Sequence, residues 1–329
     1  MRPPSLTDLP SFRPRFPWWG GDLQTIANRL RGVPTSVAPH ASERLKLPLN
    51  DGTGDTLLAS LDHPMVPTPG APLAILVHGL TGAEGSLYML TMAHLLLERG
   101  MRVLRLNLRG AGPSRTLCGQ HYYAGRSRDF RSLLEVLPAQ LKRDGVTAVG
   151  YSLGGAMLLK YLGEEGAAAP LMAAATVCAP IDLAATCRSM MRPRNRLYHR
   201  YILDHMKVEA TGAGAALSLS ERSAIMGARS VWDYDDVFIA PRYGFASAAD
   251  YYERCRPTRF MAGIRIPTLV LGALDDPWIP GALYRDYDWQ SSPSLSPLLT
   301  DHGGHVGFHG RGSRQPWSDL AVARFFERV

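Results

Sequence analysis

Residues 146–162 constrain the fold more than any other stretch of the chain. Val146-Thr147-Ala148-Val149 is short, apolar and β-branched, which is the pattern of a buried strand. Residues 156–162 are rich in helix formers and contain neither Pro nor Gly. Between the two stands Gly150-Tyr151-Ser152-Leu153-Gly154-Gly155, so the chain passes from strand to helix through a serine flanked by glycines. A serine that only caps a helix does not need them. A serine held in a strained turn does, because close neighbours must lack a Cβ.

The same step recurs along the chain. Residues 44–49 and 56–61 read as strands around Asn50-Asp51-Gly52. Residues 73–77 form an apolar run, followed by His78-Gly79-Leu80-Thr81-Gly82 and a helical pattern over 86–99 that Gly100 closes. A strand over 102–106 and a helix over about 128–141, disturbed by Pro138, precede the serine turn. Strand 171–178 follows its helix. Alternation of this kind predicts an α/β fold, a mostly parallel sheet with helices on both faces. The rhythm breaks over 181–252, a more polar and helical stretch, with residues 188–207 reading as its main helices. It resumes with strands at 268–271 and 295–300 and helices at 280–287 and 316–328. The pattern predicts a core of residues 41–180 and 253–329, an inserted helical cap over 181–252 and an N-terminal arm over 1–40. Pro, Arg and Trp in the arm suggest an extended path packed by aromatics.

Composition narrows the setting. The 329 residues could hold one large α/β domain or two smaller ones. No run reaches the apolar length of a membrane span, and the first residues lack the apolar stretch of a secretory signal. Cys118, Cys178, Cys187 and Cys255 are scattered without metal or disulfide spacing, which favours the cytoplasm. The net charge is +7. Its basic residues are dispersed, apart from Arg188, Arg192, Arg194, Arg196 and Arg200, so nucleic acid is not an expected partner. That cluster reads either as a solvated, salt-bridged face or as a surface for acidic substrates and peripheral contact with anionic lipid.

Gly150-Tyr151-Ser152-Leu153-Gly154 has the Gly-x-Ser-x-Gly form of a nucleophile elbow, and Ser152 is the candidate nucleophile. A serine hydroxyl needs a base. His305, after Gly303-Gly304 and beyond the last strand, is the candidate, with His302 structural. The base needs a carboxylate to orient it. Asp275-Asp276-Pro277 ends the preceding strand; Asp276 is the first choice and Asp275 the second. The order Ser152, Asp276, His305 differs from that of chymotrypsin and subtilisin. The oxyanion donors would be the N–H groups of Leu153 and of Leu80 in the loop after strand 73–77, and His78 would brace that loop. His302, His305 and His309 also invite a metal reading, which leaves the glycines unexplained; neither a metal nor a cofactor is expected. The loop 79–86 lacks the Gly-Lys-Ser/Thr of a phosphate loop.

With these residues in hand the chain resembles the YheT-like branch of the α/β-hydrolase superfamily, which includes α/β-hydrolase-domain lipases and yeast ethyl-ester synthase/esterases. The resemblance runs from about Phe16 onward. It rests on Gly21-Asp-Leu-Gln-Thr25, His78-Gly-Leu-Thr81, Asn107-Leu-Arg-Gly110, the serine elbow, Asp250-Tyr-Tyr252, Asp275-Asp-Pro277 and His302-Gly-Gly-His-Val-Gly-Phe308. Where the family often carries Tyr-His-Ser-Gly, this chain has Tyr122-Tyr-Ala-Gly125. The resemblance implies the α/β-hydrolase fold and hydrolysis of carboxyl esters, small molecules with medium or long acyl chains, with acyl transfer to alcohols as a further outcome. A thioesterase or peptidase using the same triad stays open, as does a non-enzymatic ligand-binding protein on the fold. The cap residues Met190, Met191, Leu197, Tyr198, Tyr201, Ile202 and Met206 are candidates for an acyl pocket or, equally, for packing of the cap on the core.

Overall fold

The alternating pattern folds into a single sheet of eight strands in the computed structural model, which describes residues 11–30 and 41–329. The strands are β1 (Ser42–Pro48), β2 (Thr56–Asp62), β3 (Leu73–Val77), β4 (Val103–Leu106), β5 (Val146–Tyr151), β6 (Ala173–Val177), β7 (Thr268–Ala273) and β8 (Leu295–Thr300), in spatial order β1-β2-β4-β3-β5-β6-β7-β8. β1, β2 and β4 pair antiparallel, and every pair from β4 through β3 to β8 is parallel. β3, β4, β5, β6 and β7 are buried along their whole length. Their runs of Val, Leu, Ile and Ala are the signature of strands covered on both faces.

α1 (Gly20–Leu30) packs against α2 (Leu87–Glu98), and the helices that cover the strands include α2, α3 (Ser127–Val136), α4 (Leu153–Glu165) and, after β8, Trp317–Phe326. α3 ends short of the predicted 141 because Pro138 supplies no N–H for the helical ladder; a separate turn, Ala139–Lys142, follows it. The arm departs from the extended path expected of it. Residues 20–30 are helical, and residues 1–10 and 31–40 lie outside the described residues.

Between β6 and β7 the chain runs through helices that include α5 (Leu183–Met190), α6 (Arg196–Ala210), α7 (Leu219–Gly227) and α8 (Ala248–Cys255), so helix begins earlier than residue 188 and is interrupted at Pro193. Between α7 and α8 a π-helical stretch, Asp235–Ile239, continues the helix Val231–Tyr234. These elements have their own apolar cluster, built on residues such as Ile202, Met206, Ile225, Phe238 and Tyr252, and it is distinct from the cluster around the sheet. No helix among the described residues is long and apolar enough to cross a membrane. The chain reverses direction through the sheet at β3, whose neighbours are β4 and β5. Ligands of open α/β sheets bind at the carboxyl ends of strands beside such a reversal.

Candidate active site

Ser152 leaves the carboxyl end of β5 and starts α4 with φ +50° and ψ −121°. Few side chains tolerate that conformation. The glycines around it are required by space: a methyl group at Gly150 would meet Gly155 at 2.7 Å, and one at Gly154 would run into the carbonyls of Val77 and His78. Thr81, Cys178, Val306 and Phe308 also have positive φ, on loops that meet near Ser152. Strain of this kind gathers at functional sites and persists only where surrounding contacts over-determine it.

His305 Nε2 stands 2.9 Å from Ser152 Oγ, and its Nδ1 stands 2.7 Å from Asp276 Oδ2. With Nδ1–H donating to the carboxylate, Nε2 is free to accept the serine proton. Asp276 is fixed in turn, because its Oδ1 accepts the backbone N–H groups of Trp278 and Ile279 at 2.8 and 3.1 Å. The indole of Trp278 lies over the imidazole with centroids 4.1 Å apart. Asp275 points elsewhere: it accepts the Gly304 N–H at 2.9 Å and faces His302 Nδ1 at 3.3 Å. Both groups brace the loop that carries His305.

The loop after β3 lies against Ser152, since a methyl group at Gly79 would come within 3.0 Å of its Cβ. His78 is buried beneath it. Its Nε2 accepts the Leu108 N–H at 3.0 Å, which puts the proton on Nδ1, 2.8 Å from the Gly79 carbonyl. Burial pushes its pKa down to about 4, so it is a neutral brace at neutral pH. Arg109, in the same Asn107–Gly110 loop, is held by Asp51, Asp55 and Asp129 at 2.6 to 2.8 Å. Leu80 and Leu153, the two candidate oxyanion donors, line one cavity together with Ser152 and His305.

That cavity, of about 450 Å³, is walled largely by apolar side chains. Met190, Leu197, Tyr198, Tyr201 and Ile202 line it, whereas Met191 and Met206 do not. Ile202 is buried, but Leu197 is 83% exposed and so belongs to the rim. Asp235, from the π-helical stretch, is the one carboxylate of the lining among the described residues. Burial pushes it up to about 7, and its Oδ2 accepts the Tyr252 hydroxyl at 2.5 Å. Among the described residues the one gathering of side chains with metal-ligand atoms is Cys178, Asp276 and His305. Two of these are hydrogen-bonded to each other, and burial beside Asp276 pushes the Cys178 thiol well above its usual pKa. A neutral thiol is a poor metal ligand.

One supporting element was not assigned a role from sequence. From α1, Thr25 Oγ1 accepts the His305 N–H at 2.8 Å, and Asn28 donates to the Val306 carbonyl at 2.7 Å. Gln24 accepts the His309 N–H at 2.7 Å. Gly304 lets the two segments touch, since a methyl group there would strike the Gly21 carbonyl, and one on Gly21 would strike the carbonyl of Asp275. The available signal was the Gly21-Asp-Leu-Gln-Thr25 motif. Thr25→Val should leave the His305 N–H unpaired, at about 1–3 kcal/mol of stability, and by loosening the imidazole's position should lower kcat about tenfold. Steady-state kinetics check this; an unchanged kcat rejects the role.

Comparison with known proteins identifies the family of the chain. Residues 72–207 match the family model described as alpha/beta hydrolase fold. The chain is 31% identical over 294 residues to the putative esterase YheT of Escherichia coli, covering 88% of this chain and 84% of that protein. It is 32% identical over 248 residues to the phospholipase ABHD3 of Mus musculus, covering 72% of this chain and 58% of that protein. It is 28% identical over 286 residues to medium-chain fatty acid ethyl ester synthase/esterase 2 of Saccharomyces cerevisiae, covering 78% and 62%. The chain thus spans less than two thirds of the length of the mouse and yeast proteins. The esterase PF2001 of Pyrococcus furiosus superposes with a TM-score of 0.60 over 98% of both chains at 13% identity, a likeness of fold. With the YheT match extending over most of both sequences, the chain belongs to the YheT-like branch of the α/β-hydrolase superfamily.

Proposed function

We propose that the protein cleaves carboxyl esters with medium to long acyl chains through an acyl-enzyme on Ser152. The coarser activity follows from its family: the chain is a carboxylic ester hydrolase. The observation that carries the finer reading is the unbroken hydrogen-bonded line Ser152–His305–Asp276 opening onto an apolar cavity. In the first half of the reaction Ser152 Oγ attacks the ester carbonyl carbon while His305 Nε2 takes its proton. The carbonyl electrons move to oxygen, where the Leu80 and Leu153 N–H groups stabilise the charge. Collapse breaks the bond to the alcohol, which leaves with the proton from His305. Water then repeats the attack and frees the acid; an alcohol in its place gives a new ester.

The four cysteines are buried free thiols, which supports a reducing compartment, the cytoplasm. The arginines of the cap are proposed as a contact for anionic lipid, since Arg192, Arg194 and Arg200 are exposed.

A series of p-nitrophenyl esters of rising length tests the acyl reading. Each methylene that enters the cavity adds about 0.8 kcal/mol, so kcat/KM should climb up to about fourfold per step until the cavity is full. Ile202→Trp should move the cutoff to shorter chains and leave acetyl esters nearly untouched. A proportional fall at every length rejects the pocket.

A further inference from the structure

The loop that carries the Leu80 N–H is held by two tyrosine hydroxyls. The Gly79 N–H donates to Tyr88 at 3.1 Å, and the Thr81 N–H donates to Tyr122 at 2.7 Å. The Gly82 N–H closes back on the Gly79 carbonyl at 3.0 Å. Among the described residues no hydrogen bond engages the Leu80 N–H between them. Thr81 sits at φ +57°, a conformation that a β-branched residue adopts only under constraint. Tyr122 is buried, with its ring edge-on to His78 at 5.8 Å and stacked on His121 at 5.9 Å. Its hydroxyl accepts from Thr81 and donates to Glu209 Oε2 at 2.8 Å. Glu209 belongs to α6, in the cap.

We propose that Tyr122 and Glu209 are positioning residues for the oxyanion donor, holding Thr81 in its left-handed conformation so that the Leu80 N–H points at the developing oxyanion. The cap is then part of the catalytic frame as well as the wall of the cavity. This rests on the serine-hydrolase reading above. Neither Tyr122 nor Glu209 lines the main cavity, so neither contributes to ground-state binding of the ester. Loss of the tyrosine hydroxyl leaves the Thr81 N–H without its acceptor, and the loop can relax toward an unstrained backbone. The Leu80 N–H turns with it. An oxyanion exists only beyond the ground state, so the effect falls on kcat and spares KM. Burial pushes the Glu209 carboxyl up to about 7, and it can accept the tyrosine proton in either protonation state. Gln keeps that acceptor and Leu removes it.

The test compares wild type with Tyr122→Phe, Glu209→Leu and Glu209→Gln on a p-nitrophenyl ester, and measures inhibition by an alkyl trifluoromethyl ketone, whose adduct with Ser152 carries an oxyanion. Misaiming one donor should lower kcat about 10- to 100-fold. Tyr122→Phe and Glu209→Leu should show that fall with KM within about twofold, and should weaken the ketone by a similar factor. Glu209→Gln should restore most of the rate. Thermal melting identifies a variant that fails to fold; should Tyr122→Phe do so, the contrast between Glu209→Leu and Glu209→Gln decides. An unchanged kcat in folded Tyr122→Phe or Glu209→Leu overturns the proposal, as does a lowered kcat with undiminished ketone affinity. A wild type that hydrolyses esters without reacting with a fluorophosphonate overturns the serine reading itself, a result separate from any ranking of these variants.

Discussion

Ser152→Ala is expected to lower ester turnover about 10⁶-fold, the scale seen when a triad nucleophile is removed elsewhere. Oγ is the only atom that bonds to the acyl group in the proposed sequence, and alanine removes it while leaving the neighbouring loops in place. The variant should fold as well as the wild type. The Ser152 hydroxyl is hydrogen-bonded to His305, and alanine meets the same φ of +50° with the same Cβ. A fluorophosphonate should therefore label the wild type and leave folded Ser152→Ala unlabelled. Equal labelling of both would remove Ser152 as the nucleophile.

The two adjacent aspartates should separate just as sharply. Asp276→Asn should reduce kcat about 10⁴-fold, as in a triad where the carboxylate is neutralised in place. An amide has one acceptor and one donor end. Oδ1 of Asp276 already accepts two backbone N–H groups, so the amide oxygen belongs there and the NH₂ must face His305 Nδ1. That arrangement favours the tautomer with the proton on Nε2, which cannot accept from Ser152. Asp275→Asn should keep most of kcat and instead lower the melting temperature, because it weakens the hold on Gly304 and His302. Rate and melting measurements on both variants check this. A crippled Asp275→Asn beside an active Asp276→Asn would reverse the assignment.

The parts of this arrangement that sequence made legible are those whose constraint is local. Gly150 and Gly154 announce a turn because the atoms they avoid belong to the same turn or to the strand beside it. The buried strands announce themselves because β3, β5 and β6 must be apolar on both faces. Sequence ranks Asp276 above Asp275 without separating them physically, since what distinguishes them is the direction of two side chains one residue apart. α1 was invisible for a different reason. Gly20-Gly21 and the prolines before it argue against a helix, and what stabilises it is contact with a loop some 280 residues away, as in the bond from His305 to Thr25. Tyr122 and Glu209 are likewise 87 residues apart. Neither residue type has a spacing rule that would pair it with the other.

That contact between Thr25 and His305 also sets a schedule. A ribosome delivers α1 before any strand of the sheet and the histidine loop after all eight of them. Closure over so long a separation is slow and comes after the local pairings it depends on. On the proposed triad, the nascent chain can carry a finished elbow at Ser152 and still lack His305 to activate it. Hydrolytic competence then arrives in a single step, when α1 and the histidine loop meet. Until that contact forms, the same proposal makes the chain chemically silent toward esters.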